Sequence, residues 1–527
     1  MTRTCTPRRA RAVVLGALVL ALGVSACGSA QHLVAGDPSA SRTPRSSPAT
    51  STTGPGVAGG GNGPADLASF YGQHATWSAC GSYDCTTIKV PIDYSDPSGP
   101  TVTLHLKRQQ ATSSPDLGPL FINPGGPGGS GLNFVDQFTG EAPELLSHYD
   151  VIGFDPRGVG TSDPLQCLNN TQLDTFVSFD PDPDTPSEVS RAEQLVKQMG
   201  AACEQHSGEL AAHVSTIEVA RDLDIMRAVL GSPKLTYYGA SYGTYIGATY
   251  AELFPTHVGK MVLDGALDPM LGADASNLGQ ARGFQTALDS YVADCVSHPS
   301  CPLGQDQQAA LTKMHGFLQG LDQHPLPTSD PSRPLTEALG FYGVAVTLYN
   351  RDYWQYLTQA LSAAFQGNGS ALLLLADAYL SRNADGSYQD NSAQVIYAVN
   401  CLDHPEPLDP AQIAASVPRY DKVAPTFGSV FAWSAIGCAE WPIKPTLKPL
   451  TKFNAPGAPP IVVVGTTRDP ATPYAWAKSL ASELDSGVFL SRNGDGHTAF
   501  HRGNGCIDRA IDDYFLSDKV PANNTMC

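Results

Sequence analysis

The sequence predicts an α/β protein: a mostly parallel β-sheet covered by helices on both faces, with a helical cap inserted late in the chain. Short apolar runs bounded by turn residues are typical of buried strands. They cover residues 87–92, 102–106, 120–123, 151–154, 235–238, 261–263 and 461–464. Helix-like stretches separate several runs, as at residues 216–230, where apolar residues keep helical spacing before Gly231. Strands that alternate with helices predict a parallel sheet.

The chain divides into five predicted segments. They are a leader (1–27), a tether (28–64), the first part of the α/β core (65–268), a helical cap (269–455) and the C-terminal part of the core (456–527). Helical runs at 353–365 and 371–380, with few strand signals nearby, define the cap. Because the strand pattern resumes at 461, the cap is expected to sit on the sheet rather than form an independent domain.

Composition narrows the class of protein. A hydrophobic content of 42% in 527 residues can fill a sizeable core. Lys and Arg number 32 against 50 Asp and Glu, a formal charge of −18, which argues against a nucleic-acid partner and against attraction to membrane surfaces. With 16% charged residues, 51 Gly and 42 Pro, the chain is neither a coiled coil nor a helical repeat.

The N-terminus has the pattern of an export signal. Three arginines at 8, 9 and 11 precede an apolar run at 13–26, which is shorter than the roughly 20 residues of a spanning helix. The run ends in Val-Ser-Ala-Cys, which resembles the lipobox of bacterial lipoproteins and predicts acylation of Cys27. An ordinary secretory signal is the alternative. Residues 28–64, rich in Ser, Thr, Pro and Gly, read as a tether, so the body is expected at the outer face of the membrane, or released.

Cysteine usage agrees with export. Of 12 cysteines, Cys5 leaves with the signal and Cys27 takes the lipid, so ten remain. Spacing suggests neighbours in sequence as disulfides, one of many possible sets: Cys80–Cys85, Cys167–Cys203, Cys295–Cys301, Cys401–Cys438 and Cys506–Cys527. The sequence contains neither Cys-x-x-Cys nor His-Glu-x-x-His, which disfavours a zinc site. No metal and no cofactor are predicted.

The candidate nucleophile is Ser241. A predicted strand at 235–238 leads into Gly-Ala-Ser-Tyr-Gly at 239–243 and then into a helical run at 245–254. This strand–turn–helix context is the one that Gly-x-Ser-x-Gly needs, because a tight turn lifts the serine hydroxyl clear of the sheet. In a chain rich in Gly and Ser the pentapeptide alone is weak evidence, and a surface turn that holds a serine is the alternative.

A glycine-rich loop at 123–131 follows the predicted strand at 120–123. It lacks the lysine of a phosphate-binding loop and the glycine spacing of a dinucleotide fingerprint. Bare backbone amides suit an oxyanion hole, for which Gly126 and Tyr242 are the predicted donors. The later segment Asp-Pro-Arg-Gly-Val-Gly-Thr-Ser at 155–162 is interpreted as a tight turn in which Arg157 pairs with a carboxylate.

A serine hydroxyl needs an adjacent imidazole that a carboxylate orients. After the apolar run at 460–465, Asp469 stands in a loop at the predicted carboxyl end of a strand, where a triad acid belongs. His497 follows the strand-like run at 487–490 on a glycine-containing loop. Asp495 is a rival acid two residues before the base. Of the other late histidines, His404 precedes the acid and His501 is expected in a helix.

Together these motifs resemble the exported tripeptidyl aminopeptidases of actinobacteria, which are α/β-hydrolase relatives of prolyl aminopeptidase. The resemblance covers about residues 65–527 and includes Arg-Asp-Pro-Ala-Thr-Pro at 468–473 and Gly-His-Thr at 496–498. It implies a serine exopeptidase that takes short units from free peptide amino termini, with a cap that restricts access. Asn-Pro-Gly-Gly at 123–126 departs from the His-Gly-Gly-Pro-Gly of prolyl aminopeptidases and matches the tripeptidyl branch, which leaves the length of the released unit open.

An exopeptidase must recognise a free ammonium, which calls for carboxylates offered by the cap. Asp403 is the candidate, because residues 398–403 resemble a family segment of the cap; a solvated acid beside a disulfide is the alternative. Thr472 either lines the site or caps the following helix. Two other functions stay open: an envelope esterase or lipase with the same triad, and a non-catalytic binding lipoprotein. Serine at 241 disfavours epoxide hydrolase and dehalogenase chemistry.

Overall fold

A ten-stranded sheet forms the centre of the fold in the computed structural model, which describes residues 63–527. The strands are β1 (Ser78–Cys80), β2 (Tyr83–Pro91), β3 (Thr101–Gln109), β4 (Pro119–Asn123), β5 (Asp150–Phe154), β6 (Leu235–Ala240), β7 (Val258–Asp264), β8 (Ile461–Arg468), β9 (Gly487–Asp495) and β10 (Thr525–Met526). Their order across the sheet is β1-β2-β3-β5-β4-β6-β7-β8-β9-β10. The pairs from β1 to β5 are antiparallel and all later pairs are parallel, which confirms the predicted mostly parallel sheet.

Within residues 63–527, seventeen α-helices surround the sheet. They are α1 (Ala68–Tyr71), α2 (Gly131–Glu141), α3 (Pro143–His148), α4 (Asn170–Val177), α5 (Pro186–Ser207), α6 (Thr216–Val229), α7 (Tyr242–Leu253), α8 (Ala273–Val296), α9 (Gln307–Gln323), α10 (Glu337–Leu348), α11 (Trp354–Ala364), α12 (Ser370–Tyr379), α13 (Ser392–Asp403), α14 (Pro410–Val423), α15 (Gly428–Trp433), α16 (Tyr474–Glu483) and α17 (Gly505–Ser517). Short 3₁₀ turns join several of them.

The parallel strands are apolar along their length because both faces of the sheet are buried. Leu120 and Ile122 pack into a cluster with apolar residues of α2, α3 and α17, whereas Phe121 packs into the cluster on the opposite face with residues of α6, α7 and α16. Adjacent side chains of a strand point to opposite faces, so a strand covered twice needs an unbroken apolar run.

A helical insertion, α8 to α15, lies between β7 and β8, as the sequence predicts. Its α11 and α12 match the expected helices at 353–365 and 371–380. Helix α8 packs against the loop after β8 so closely that a Cβ added to Gly283 would lie 2.4 Å from the carbonyl oxygen of Pro470. The insertion therefore covers the edge of the sheet at which β8 ends.

Ten cysteines form five disulfides, and the joined pairs are the ones that spacing suggested. Disulfides of this number belong to an oxidising compartment, so the protein is extracytoplasmic. Within residues 63–527, no helix is long and apolar enough to cross a membrane. The predicted leader, the acylated Cys27 and nearly all of the predicted tether lie outside the described residues.

Two expected helix bounds differ from the structure. Helix α7 begins at Tyr242, directly after Ser241, rather than at 245. His501 lies in a turn and not in a helix, because α17 starts only at Gly505, where the Asn504 side chain accepts hydrogen bonds from the amides of Cys506 and Ile507. Asn is a strong N-cap, and it sets the start of the helix beyond the histidine.

Candidate active site

Ser241 occupies the sharp turn between β6 and α7. Its backbone has φ 56° and ψ −126°, a conformation that residues with a side chain rarely adopt. The turn is held because the Ser241 amide donates to the Asp264 carbonyl at 2.9 Å and the Ser241 carbonyl accepts from the amide and hydroxyl of Thr244. A Cβ at Gly239 would lie 2.4 Å from the carbonyl oxygen of Gly243, so the flanking glycines allow strand and helix to approach.

Asp469 lies in the loop after β8 with only 2% of its surface exposed. Its Oδ1 accepts from the amides of Ala471 and Thr472, both at 2.9 Å, and its Oδ2 accepts from the amide of Thr498 at 3.1 Å. Three backbone donors fix the carboxylate in one orientation, which suits an acid that has to hold an imidazole.

His497 lies on the loop after β9, and its Nδ1 is 2.9 Å from each oxygen of Asp469. The contact assigns the ring proton to Nδ1, which donates to the carboxylate. Nε2 is buried and has no hydrogen-bond partner among the described residues. Its lone pair is therefore available to a proton from another group.

The ends of neighbouring parallel strands bring Ser241 to this imidazole. Asp264, whose carbonyl holds the Ser241 amide, is followed by Gly265, and a Cβ added to Gly265 would lie 3.2 Å from Cε1 of His497. The imidazole ring therefore lies close to the residues that hold the Ser241 turn. The loops that carry Ser241, Asp469 and His497 thus lie at one edge of the sheet, and Nε2 makes no hydrogen bond to the Ser241 hydroxyl in this structure.

Two residues that support the histidine loop escaped the sequence analysis. The buried Asp264 carboxylate accepts from the amides of Ala499 and Phe500 and from the Tyr238 hydroxyl, and burial raises its pKa. From the insertion, the carbonyl of Tyr349 accepts from the His497 amide at 2.8 Å. The Asp-Gly pair at the end of an apolar run could have indicated Asp264. No local sequence pattern indicates Tyr349.

The predicted oxyanion donors lie beside the serine turn. A Cβ added to Gly125 would be 2.7 Å from the amide nitrogen of Tyr242 and 3.0 Å from Cβ of Ser241, so the glycine loop touches the turn. Tyr242 is the first residue of α7, and its N–H therefore has no acceptor within the helix. Gly126 is exposed although its neighbours are buried, and within residues 63–527 nothing accepts a hydrogen bond from its amide.

Arg157 has a structural role, as interpreted from the sequence. Its guanidinium makes two hydrogen bonds to Asp222, at 2.6 and 2.7 Å, and donates to the carbonyls of Pro91, Ile92 and His213. All five donors of the side chain are used within the fold, so it is not available to a substrate.

The rival acid, Asp495, does not contact His497. Its carboxylate binds Arg468 at 2.6 and 3.1 Å and accepts from the Ser290 hydroxyl of α8 at 2.6 Å. Burial alone would raise the pKa of Asp495, but the hydrogen bonds from Arg468 and Ser290 hold it below the usual value. Asp495 therefore ties the insertion to the core.

Asp403 is buried at the end of α13, where it contacts the start of α6. Its oxygens accept from the amide of Thr216 at 2.9 Å and from the Thr216 hydroxyl at 2.5 Å, and that hydroxyl also bonds to the phenol of Tyr242. Burial raises the pKa of Asp403 to about 7, against the effect of these hydrogen bonds. Thr472 lies at the triad itself, with its hydroxyl 3.3 Å from Nδ1 of His497.

A cavity of about 940 Å³ lies between the loop after β5 and the segment before α13. Ser130, Asp155, Asp390 and Gln394 are among its lining residues, but no member of the Ser241, Asp469 and His497 set lines it. It borders the end of the glycine loop and is distinct from the triad.

Comparisons with known proteins identify the family of the chain. The family model of the alpha/beta hydrolase fold matches residues 118–503, and the chain belongs to this family. It is similar to "Serine protease Hip1" of Mycobacterium tuberculosis, 38% identical over 86% of this chain and 91% of the relative. "Carboxylesterase B" of the same species is 38% identical over 84% of this chain and 86% of the relative.

A third relative is "Tripeptidyl aminopeptidase" of Streptomyces lividans, which is 31% identical over 86% of this chain and 85% of its own length. The family resemblance expected from the motifs is therefore confirmed. The chain is a serine hydrolase of the α/β fold, related both to peptidases and to carboxylesterases.

Proposed function

We propose that the protein is a serine exopeptidase that releases short peptides, tripeptides in the first instance, from free amino termini. The observation that carries the proposal is the His497 imidazole, which contacts Asp469 through Nδ1 while the buried Nε2 has no partner and the ring lies beside Gly265, next to the residue that holds the Ser241 turn. Such an imidazole can take the proton of a serine hydroxyl. The relatives named as a serine protease and a tripeptidyl aminopeptidase support peptides as substrates.

In the proposed reaction the Ser241 hydroxyl oxygen attacks the scissile carbonyl carbon while its proton passes to Nε2 of His497. The amides of Gly126 and Tyr242 donate to the carbonyl oxygen as it becomes negative. The imidazolium then gives its proton to the departing amine, which leaves an ester on Ser241. Water, deprotonated by the same nitrogen, hydrolyses that ester and restores the serine.

A carboxylesterase is the second candidate, because a relative carrying that name is as similar to this chain as the serine protease is. Both activities use the same triad and oxyanion donors, so the distinction depends on what binds beyond the reacting carbonyl. A requirement for the free amine is the property that separates them.

The test compares three chromogenic substrates: a tripeptide with a free amine, the same tripeptide acetylated, and a short acyl ester. We expect kcat/KM for the free amine to exceed that for the acetylated form by at least about 100-fold, since a buried ammonium site rejects a neutral end. Comparable cleavage of both peptides, or a strong preference for the ester, would refute the exopeptidase.

Labelling by a fluorophosphonate tests the nucleophile separately. Ser241→Ala should lose all labelling, whereas Ser147→Ala, which changes a serine on the remote helix α3, should label like the unmodified protein. If the Ser241 variant were still labelled, the nucleophile would be a residue other than Ser241.

The proposal also places a tether at residues 28–64 and the helical cap at residues 269–455. It further includes anchoring of the protein by an acyl chain on Cys27. Mass spectrometry of the N-terminal peptide from the exported protein tests it: a lipid-modified cysteine is expected, and an unmodified N-terminus beyond residue 27 would contradict it.

A further inference from the structure

A group of carboxylates lies in and under the helical insertion, away from the triad. Asp180 belongs to the loop between α4 and α5, Asp322 to α9, and Glu337 is the first residue of α10. One carboxylate oxygen of each lies within 4.8 Å of the others. Asp182, two residues after Asp180, is a neighbouring acid outside this group, and its Oδ2 accepts from the Ser429 hydroxyl.

Glu337 is the residue that sets this group apart from ordinary surface acids. It is only 6% exposed, yet within residues 63–527 no side chain or amide donates a hydrogen bond to its carboxylate and no Lys, Arg or His pairs with it. Asp180 accepts only from the amide of Asp182, and Asp322 only from the neighbouring Gln323 side chain. A buried carboxylate without partners is costly, so the group lacks a compensating charge.

Three other buried acids of the fold accept several hydrogen bonds each. Asp222 is paired with Arg157, and Asp264 and Asp469 each accept from several backbone amides. By contrast, burial and the neighbouring carboxylates together raise the pKa of Glu337 to about 9. Glu337 therefore differs from those three acids, because carboxylates rather than hydrogen-bond donors surround it.

The donor set indicates which cation fits. All ligands are carboxylate oxygens, which hard divalent cations prefer, and neither nitrogen nor sulfur contributes. The loop reads Asp-Pro-Asp-Pro-Asp over residues 180–184, the alternation of acids found in calcium-binding loops. Pro181 and Pro183 have no N–H, so two amides that could satisfy the acids are missing.

The ammonium of a substrate is a poorer match, because the group is too far from the triad. Glu337 begins α10 and Tyr349, which contacts His497, follows its end. Twelve residues of helix rise about 18 Å. Three extended residues span only about 10 Å, which is shorter than the helix that separates Glu337 from the residue in contact with His497.

We propose that Asp180, Asp322 and Glu337 form a binding site for a divalent cation of the calcium type. The cation would connect the loop between α4 and α5 to helices α9 and α10. It would thereby hold the helical insertion against that loop of the core. The cysteine and histidine spacing that disfavours zinc says nothing against such an oxygen site.

Calorimetric titration of the full chain with CaCl₂, after removal of metals by EDTA, tests the site. We expect one Ca²⁺ per chain with a Kd of about 0.1 to 1 mM, and a Tm that rises by several degrees in 10 mM CaCl₂. Glu337→Gln should weaken binding at least about tenfold and remove most of the rise in Tm. Asp512→Asn, which changes a partly buried acid on α17 outside the group, should do neither.

Absence of binding up to 10 mM Ca²⁺, or equal affinity in the Glu337 variant, would overturn the proposal. If Glu337→Gln does not fold, Asp180→Asn provides the same comparison. An unchanged titration combined with a raised KM for the free-amine tripeptide in Glu337→Gln would assign the carboxylates to the substrate instead. The titration does not depend on catalysis, so Ser241→Ala should bind Ca²⁺ as the unmodified protein does. Failure of the exopeptidase proposal would therefore leave the cation-site proposal standing.

Discussion

Two carboxylates near the serine turn, Asp469 and Asp403, are both buried but differ in what surrounds them. Asp469 accepts from three backbone amides and from the His497 imidazole. Asp403 accepts from one amide and one hydroxyl of Thr216, and burial raises its pKa to about 7. Burial alone therefore does not identify a catalytic acid. The amides that the loop after β8 directs at one carboxylate distinguish it.

Replacing Asp469 should have the largest effect. In Asp469→Asn the side chain has one acceptor oxygen and one NH₂ group. It can therefore no longer accept from both Nδ1–H of His497 and the backbone amides of the loops. The imidazole then favours the tautomer that cannot take a proton at Nε2. We expect kcat/KM on the tripeptide substrate to fall about 10⁴-fold, as the loss of a triad acid does elsewhere, with Tm measured in parallel.

The matched control is Asp403→Asn, the same chemical change in the other acid. If both variants lost activity to a similar extent, the two acids would not differ in role. A loss of less than about tenfold in the Asp469 variant, with the fold intact, would exclude it as the triad acid.

The difference between these two acids also shows how far the sequence reaches. Asp469 was predictable because it directly follows a buried strand, and strand ends meet at one edge of a parallel sheet. His497 was predictable for the same reason. The Thr216 bond to Asp403 joins residues 187 positions apart, and the Tyr349 carbonyl reaches His497 from the insertion. Such contacts depend on how the insertion docks, which no local pattern encodes.

The acidic group around Glu337 escaped the sequence analysis for a related reason. Asp180 lies in the loop between α4 and α5, but Asp322 and Glu337 come from two later helices that pack beside that loop. An Asp-Pro-Asp-Pro-Asp segment by itself is typical of an exposed loop. Only the packing of α9 and α10 shows that an acid from each converges with it.

The raised pKa of Asp403 predicts a smaller, pH-dependent effect on stability. The unfolded carboxyl titrates near 3.8 and the folded one near 7, so ionisation opposes folding and this penalty develops as pH rises between those values. Asp403→Asn removes the ionisation. The decrease in unfolding free energy from pH 4 to pH 8 should therefore be smaller in the variant by about 4 kcal/mol, measured by urea denaturation.

Asp66→Asn, at an exposed site, is the control that shows how far the substitution itself alters the pH dependence of stability. Kinetics of the Asp403 variant add a second readout. Since Thr216 occupies both oxygens of Asp403, we expect KM for the free-amine tripeptide to change by less than about threefold. A KM increase of about 100-fold would instead support Asp403 as the ammonium-binding residue.

The smallest effect is expected at Asp495, the acid nearest to His497 in sequence. Asp495→Asn removes the ion pair with Arg468 but can keep the bond to Ser290, so kcat/KM should stay within about threefold. Because its folded pKa is lowered, ionised Asp495 stabilises the fold above about pH 4, and the contribution disappears as pH falls through the folded pKa. The variant should therefore lose about 1 kcal/mol at pH 7, where Arg468 is partly solvated, and nothing measurable near pH 2. A loss of activity close to that of Asp469→Asn would mean that proximity in sequence to the histidine matters more than the contact with its ring.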